Sequence, residues 1–180
     1  MARSQSEDFL QNFRFHVRVI GTAGGIEDPI KAIRSGTAGV DNEAGFQQVT
    51  VPEISTDANE YREGTMKWTR KLPGAPTVGD ATLMRGVVKQ DSKFFDWMIQ
   101  TATGGDYRVD LAIFQFARGD VDPGVDEAIP AVATKVYILR DAFPTRAKPT
   151  GDMDATNGEV SMAEIDIACE KIEVESNITI

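Results

Sequence analysis

The segment Phe13-Arg14-Phe15-His16-Val17-Arg18-Val19 alternates apolar and polar residues without a break. A period of two sends successive side chains to opposite faces of an extended strand, so one face is buried and the other is wetted. On this reading Phe13, Phe15, Val17 and Val19 face a core, while Arg14, His16 and Arg18 face outward. Strand-like runs recur at Asp80–Lys89, at Tyr107–Phe116 and at Lys135–Phe143, the last ended by Pro144. Phe46–Tyr61 is strand-like but polar, and Pro52 within it marks a bend or bulge. Firm helical spacing occurs once, over Asp91–Thr103. Asp91 is placed to cap it, Phe94 with Met98 and Phe95 with Ile99 form i,i+4 pairs, and Gly104-Gly105 stops it. Six or so strands with a single helix, and no alternation of the two, exclude a parallel α/β sheet. The predicted fold is mainly β: an antiparallel sandwich or barrel of two packed sheets with one flanking helix.

The 180 residues suit a single domain spanning 1–180. Between Gly21 and Gly45 the strand pattern dissolves among six glycines, which predicts a long loop insertion over 21–45. Ala117–Thr134, rich in Gly, Pro and Asp, is a second connection. The chain is 41% hydrophobic and carries a net charge of −9, which favours a soluble globular protein and disfavours loose adhesion to nucleic acid or anionic membranes. No apolar run approaches the roughly 20 residues that span a bilayer. The residues Met1 to Asp8 lack the apolar centre of a signal peptide, so folding in a bacterial cytoplasm is expected.

Glu159–Val174 is readable in two ways. Ser161 and Glu164 fit a capping box, and Met162, Ile165, Cys169 and Ile172 follow helical spacing. Yet Ile165, Ile167 and Cys169 also alternate with Glu164, Asp166 and Glu170. As a strand, the segment needs two bulges, because the alternation changes phase near Ala163 and again near Lys171.

Motifs that carry chemistry fail on inspection. Gly21-Thr22-Ala23-Gly24-Gly25 lacks the Lys-Ser/Thr of a P-loop and the spacing of a dinucleotide fingerprint. The run from Asp152 to Glu159 fails as a calcium loop: the sixth position is Asn157 rather than Gly, and the twelfth is Ala163 rather than Glu. The acidic residues Asp120, Asp122, Asp126 and Glu127 have no ligand spacing. His16 is the only histidine and has no identified acid–base partner. Cys169 is the only cysteine, which excludes an internal disulfide, and it falls on the apolar side of its segment. No catalytic residue, metal ligand or cofactor-binding residue is assigned.

One basic–aromatic cluster stands out: Tyr61, Arg62, Lys67, Trp68, Arg70 and Lys71. Nucleic-acid binding is disfavoured by Glu60 and Glu63 within it and by the acidic balance of the chain. Tyr, Trp and Arg are the residues that anchor protein interfaces, so a protein-contact loop fits better than a solvated hairpin.

The pieces Glu60-Tyr61-Arg62-Glu63-Gly64, Arg70-Lys71-Leu72-Pro73-Gly74, Thr82-Leu83-Met84-Arg85-Gly86-Val87-Val88 and Phe95-Asp96-Trp97, in this order, resemble the tail-tube proteins of contractile phages. The likeness extends to the inner-tube subunits of contractile injection particles, to Phe13-Arg14-Phe15, and to Glu159–Ile165 as a closing strand, which favours the strand reading there. The Gly21–Gly45 segment and the Ile178-Thr179-Ile180 tail depart from the family pattern.

The resemblance implies a structural subunit that catalyses nothing and uses no cofactor. It implies hexameric rings closed by pairing sheet edges. The rings stack into a hollow conduit for DNA or protein cargo, surrounded by a sheath and joined to baseplate and spike proteins. It implies neither specific nucleic-acid binding nor membrane insertion. The expected setting is an assembled phage tail or injection particle. On this footing Tyr61, Arg62, Glu63, Met66, Trp68, Arg70, Lys71 and Leu72 are expected at the inter-ring interface. Thr50, Glu53, Ser55 and Asp57, polar where a buried strand would carry Val or Ile, are expected to face the lumen. A specialised ring joining tube to baseplate is the nearest alternative. A monomeric β-sandwich binding module, or a small nucleotide-binding enzyme built on Gly21–Gly25, belongs to a different class.

Overall fold

The computed structural model describes residues 10, 12–22, 46–87, 92–117, 132–153, 156, 158 and 160–179. The strands are β1 (Phe15–Thr22), β2 (Gln48–Thr50), β3 (Ile54–Tyr61), β4 (Arg70–Val78), β5 (Ala81–Gly86), β6 (Val109–Gln115), β7 (Val132–Lys148), β8 (Met162–Ala168) and β9 (Lys171–Thr179). The helix α1 (Lys93–Thr103) lies between β5 and β6. Every strand pairing is antiparallel.

β7 belongs to two sheets. Its first part pairs with β6 and β9, giving the order β1-β6-β7-β9; from Phe143 onward it pairs with β8, giving β2-β5-β8-β7. The chain turns between the sheets at Asp141, whose φ is 52°. On the other side β8 and β9 form a nearly continuous line along β7: Ala168 is opposite Phe143, and Lys171 is opposite Arg140. The Glu170 amide donates to the Arg140 carbonyl at 3.1 Å across the corner.

The two sheets enclose the main core, built from Val17, Leu83, Val109, Leu111, Ile113, Leu139, Ile165 and Ile167. Helix α1 closes one side by inserting Phe94 and Trp97. The Trp97 indole N–H donates to the Tyr107 carbonyl at 2.7 Å, so its one polar atom is satisfied in an apolar site. Phe94 is stacked on Phe46 at 6.2 Å, and the buried Arg85 guanidinium lies 3.8 Å from the Phe94 ring centroid. A second buried cluster, comprising Ala112, Phe114, Phe116, Val136 and Ile138, uses the opposite side chains of β6 and β7. The first sheet is therefore buried on both faces around its centre.

The sandwich with one helix is the predicted architecture, and several local expectations are corrected. Phe13 precedes β1 and is exposed, whereas Val17 is buried. His16, expected on a wet face, is half-buried with its ring 6.4 Å from Phe114, because that face carries the second cluster. Gly21 and Thr22 extend β1 rather than opening the loop; residues 23–45, with Gly24 and Gly25, lie outside the described residues. So do Asp91 and the acidic residues of 118–131.

Helix α1 begins after Ser92, whose hydroxyl donates to Asp96 at 2.6 Å without capping the backbone, and ends at Gly104 in the left-handed conformation with φ 77°. Of its predicted pairs, Phe94 is buried, whereas Phe95 and Ile99 are exposed. Pro144 does not end a strand: β7 runs on to Lys148, with a register shift between Pro144 and Arg146 that absorbs the missing N–H. Ala163, Ile165 and Ile167 are buried in one phase, so no bulge is needed at Ala163; the interruption at Cys169–Glu170 is the sheet corner. Ile178 and Thr179 belong to β9.

Candidate assembly surfaces

Among the described residues β3 and β4 pair only with each other. All of β3 is exposed, and β4 is exposed except at Gly74 and Val78. This hairpin prolongs the ladder of β2 and β5. Gln48 is opposite Met84, Thr50 opposite Thr82, and Ile54 opposite Val78, in one unchanged register, and the Gly79 amide donates to the Glu53 carbonyl at 2.9 Å across the joint. Pro52 is buried at that joint. The result is a single two-stranded ribbon, half in the body and half projecting. A register shift between Thr56 and Ala58 sets Asp57 against Gly74-Ala75 as a bulge. A Cβ on Gly74 would lie 2.9 Å from the Asp57 carbonyl oxygen, so the close approach requires glycine.

The tip gathers all eight residues expected at an interface. Tyr61 ends β3; Arg62, Glu63, Met66 and Trp68 lie in the connection; Arg70, Lys71 and Leu72 open β4. The Met66 amide donates to the Glu63 carbonyl at 2.9 Å, the Tyr61 hydroxyl donates to Glu63 Oε1 at 3.3 Å, and Lys71 Nζ lies 3.7 Å from Glu60. These local bonds shape the tip and leave Trp68 81% exposed, with Tyr61 and Leu72 more than half exposed. A two-stranded hairpin is marginal in water, and here neither face rests on the body. Such a ribbon is stable when something covers it.

The four residues expected in a lumen fall in two places. Thr50 lies on the outer face of the second sheet, beside Thr82. Ser55 and Asp57 lie on the projecting hairpin, where the Ser55 and Thr77 hydroxyls meet at 2.8 Å, and Glu53 lies at the joint. All four are exposed.

The outer face of the second sheet carries a polar network that sequence reading missed. Thr82 donates to Asp166 at 2.9 Å; Arg146 donates to Asp166 at 2.7 Å and to Glu164 at 2.9 Å; Lys148 pairs with Asp152 at 3.1 Å. The Arg146 pKa is raised, first by its hydrogen bond to Asp166 and then by that to Glu164. The signal was present in the alternation of Glu164 and Asp166 with buried Ala163, Ile165 and Ile167. Both borders of this sheet are open: among the described residues β2 pairs only with β5 in the body, and the second half of β7 pairs only with β8.

Cys169 is half-buried, and burial, followed by the Asp80 charge, raises its thiol pKa away from thiolate reactivity. Among the described residues no group of three or more His, Cys, Asp or Glu side chains is placed to hold a metal ion. No described helix is long and apolar enough to cross a membrane.

A sandwich with open sheet borders and a bare ribbon defines a building block of a larger assembly. The family of T4-like virus tail tube protein gp19 matches residues 11–173, and the chain belongs to that family. It is a structural tail-tube subunit. Among solved structures, a chain of the sheath–tube complex of an extracellular contractile injection system (PVC) in its extended state superimposes with a TM-score of 0.70 at 22% identity, covering 96% of this chain and 95% of that one. A chain of the six-fold symmetrised baseplate of the anti-feeding prophage (AFP) gives a TM-score of 0.71 at 15% identity, with 94% and 97% covered. Hcp1 from Salmonella typhimurium gives 0.51 at 11% identity, with 92% and 89% covered. At these identities the likeness is one of fold. No curated protein matches the chain by sequence.

Proposed function

We propose that this chain closes into six-membered rings that stack head to tail into the hollow inner tube of a contractile tail or injection particle. The observation that carries the reading is the β3–β4 ribbon, exposed on both faces and ending in Tyr61, Trp68 and Leu72. Within a ring, the β2 border of one protomer pairs with the second half of β7 in the next. The six copies of the second sheet then form one closed barrel, which removes the open edges. Its outer face, bearing Thr50, Thr82, Glu164, Asp166 and Arg146, becomes the lumen wall.

Six-fold closure is supported by the symmetry of the AFP baseplate, and a sheath partner by the PVC sheath–tube complex, both of which hold chains of this fold. Baseplate and spike proteins and a passing cargo complete the set of partners. The chain folds in the cytoplasm before assembly and catalyses nothing.

Negative-stain micrographs of the full-length chain test this directly: rings or rods with a central hole are expected. A chain that stays monomeric at every concentration, and with a sheath partner present, overturns it. The triple variant Arg62→Ala, Trp68→Ala, Lys71→Ala isolates the stacking step. It is expected to leave rings intact, shorten or abolish rods, and unfold at the wild-type temperature. Rods of wild-type length from this variant would remove the hairpin from the stacking interface.

A further inference from the structure

A head-to-tail contact joins two different surfaces, so a hairpin that reaches into the next ring needs a receiving surface at the opposite end of the same protomer. From the tip, the ribbon runs back through Ile54/Val78, Thr50/Thr82 and Gln48/Met84, and β5 then reaches Gly86, opposite Met162. The end at Gly86 is the end of this sheet farthest from the tip along β5.

Three large apolar side chains are exposed in the segments meeting there: Val87 at 40%, Val160 at 74% and Met153 at 86%. The segments are held together. The Val87 amide donates to the Ser161 carbonyl at 2.9 Å, and the Thr150 and Ser161 hydroxyls meet at 2.5 Å. A Cβ on Gly86 would lie 3.7 Å from Val160 Cγ1, so Val160 lies over bare backbone. The flexible thioether of Met153 suits a surface that must fit around an incoming side chain.

We infer that Val87, Met153 and Val160 form the receptor for the Tyr61–Leu72 hairpin tip of the protomer in the adjacent ring. The inference rests on the stacked-tube reading above and adds the surface on which the tip lands. Both ends of one sheet carry exposed apolar groups. Charge agrees in sign: among the described residues Arg62, Lys67 and Arg70 make no ion pair at the tip, and Asp152, beside Met153, keeps a fully exposed carboxylate whose one oxygen lies 3.1 Å from Lys148 Nζ. Repeated by translation along the tube, this contact occurs once per protomer at every ring junction and leaves the apolar groups exposed only at the tube ends.

The test uses the full-length chain in two ways. Combined Val87→Ser, Met153→Ser and Val160→Ser substitutions touch no core residue and are expected to preserve rings and the melting temperature while shortening rods several-fold. Independently, Thr69→Cys, beside Trp68, and Val160→Cys are made in separate chains and mixed. A disulfide needs Cβ atoms about 4 Å apart, so oxidation of mixed rods is expected to yield a crosslinked dimer of the two variants, absent from rods of either variant alone.

Rods of wild-type length from the triple serine variant, or mixed rods that give no such dimer, overturn the receptor assignment. Should the serine variant misfold, the crosslink alone decides. Failure of the stacking reading has a different signature: rods would then survive alanine substitution at Arg62, Trp68 and Lys71, or the wild-type chain would form none.

Discussion

The backbone amide of Asp141 donates to the Asp110 carboxylate at 2.9 Å, at the point where β7 leaves one sheet for the other. The second Asp110 oxygen accepts from Arg140 at 2.8 Å, and Arg140 also donates to Glu173 at 3.1 Å, so one corner ties β6, β7 and β9 together. Asp141 has φ 52°, a conformation that costs most L residues about 1–2 kcal/mol and that Asp tolerates better than β-branched residues.

Replacing Asp110 with Ala removes both bonds. These groups are part-exposed and screened, so the expected loss is about 1–2 kcal/mol. Asp141→Val is expected to be destabilising by a similar amount, and Asp141→Gly to be near neutral. Denaturant unfolding of the dispersed protein checks all three. If Asp141→Val is as stable as wild type, the corner holds no strain.

Gly74→Ala acts elsewhere. Its Cβ would lie 2.9 Å from a backbone oxygen that has no rotamer through which to yield, so the bulge must open. The hairpin carries almost no buried side chains, and the body should melt within a degree or two of wild type, by the usual scaling of about 2–4 °C per kcal/mol for a domain of this size. Rod formation should fall sharply. Hydrogen exchange is expected to accelerate at hairpin amides and remain unchanged in β6. A large drop in melting temperature would mean that the hairpin is part of the cooperative core.

Much of this was legible in the sequence where a single strand has one dry face. Ile165 and Ile167 in β8 alternate cleanly with Glu164 and Asp166 because one side is packed and the other is wet. The tip was legible as well, since Tyr61, Trp68 and Arg70 have no apolar face that a core would claim. What was not legible depends on long-range pairing. No local pattern reveals that β2–β3 and β4–β5 share one register, or that β7 continues past Pro144 because that half lies at a sheet border where a missing N–H costs little. The burial of His16 was hidden because Arg14 and Arg18 give its face a polar pattern, although Phe114 and Ile138 pack the neighbouring strands. The receptor candidates Val87, Met153 and Val160 are scattered in sequence, and their segments come together only once β5 and β8 are paired.

Glu173 gives a pH test. Hydrogen bonds from Lys171 and then Arg140 hold its carboxyl below the usual glutamate value of about 4.3. A carboxyl with a depressed folded-state pKa contributes stability above its unfolded value, and the contribution is lost as pH falls through the folded one. Glu173→Gln should therefore melt below wild type at neutral pH, with the gap closing as the pH falls below the usual glutamate range. Melting curves of both proteins across that window decide the point. A gap that stays constant would show that packing, rather than charge, accounts for the difference.

The proposed lumen wall makes a prediction about cargo. On the second sheet's outer face Arg146 is held between Glu164 and Asp166, so its charge reaches the wall in paired form. A basic wall would retain DNA by releasing counterions, with an affinity that falls steeply with salt, whereas a paired, slightly acidic wall lets a polyanion pass. Assembled wild-type tubes are expected to show negligible retention of free DNA in a gel shift at low salt. Glu164→Gln with Asp166→Asn frees Arg146 six times per ring under six-fold closure and should create weak, salt-sensitive retention. Arg146→Ala in the same background should abolish it. Retention by wild-type tubes would overturn the argument from charge. If the double variant retains DNA only as dispersed chains and not as tubes, this face does not line the conduit.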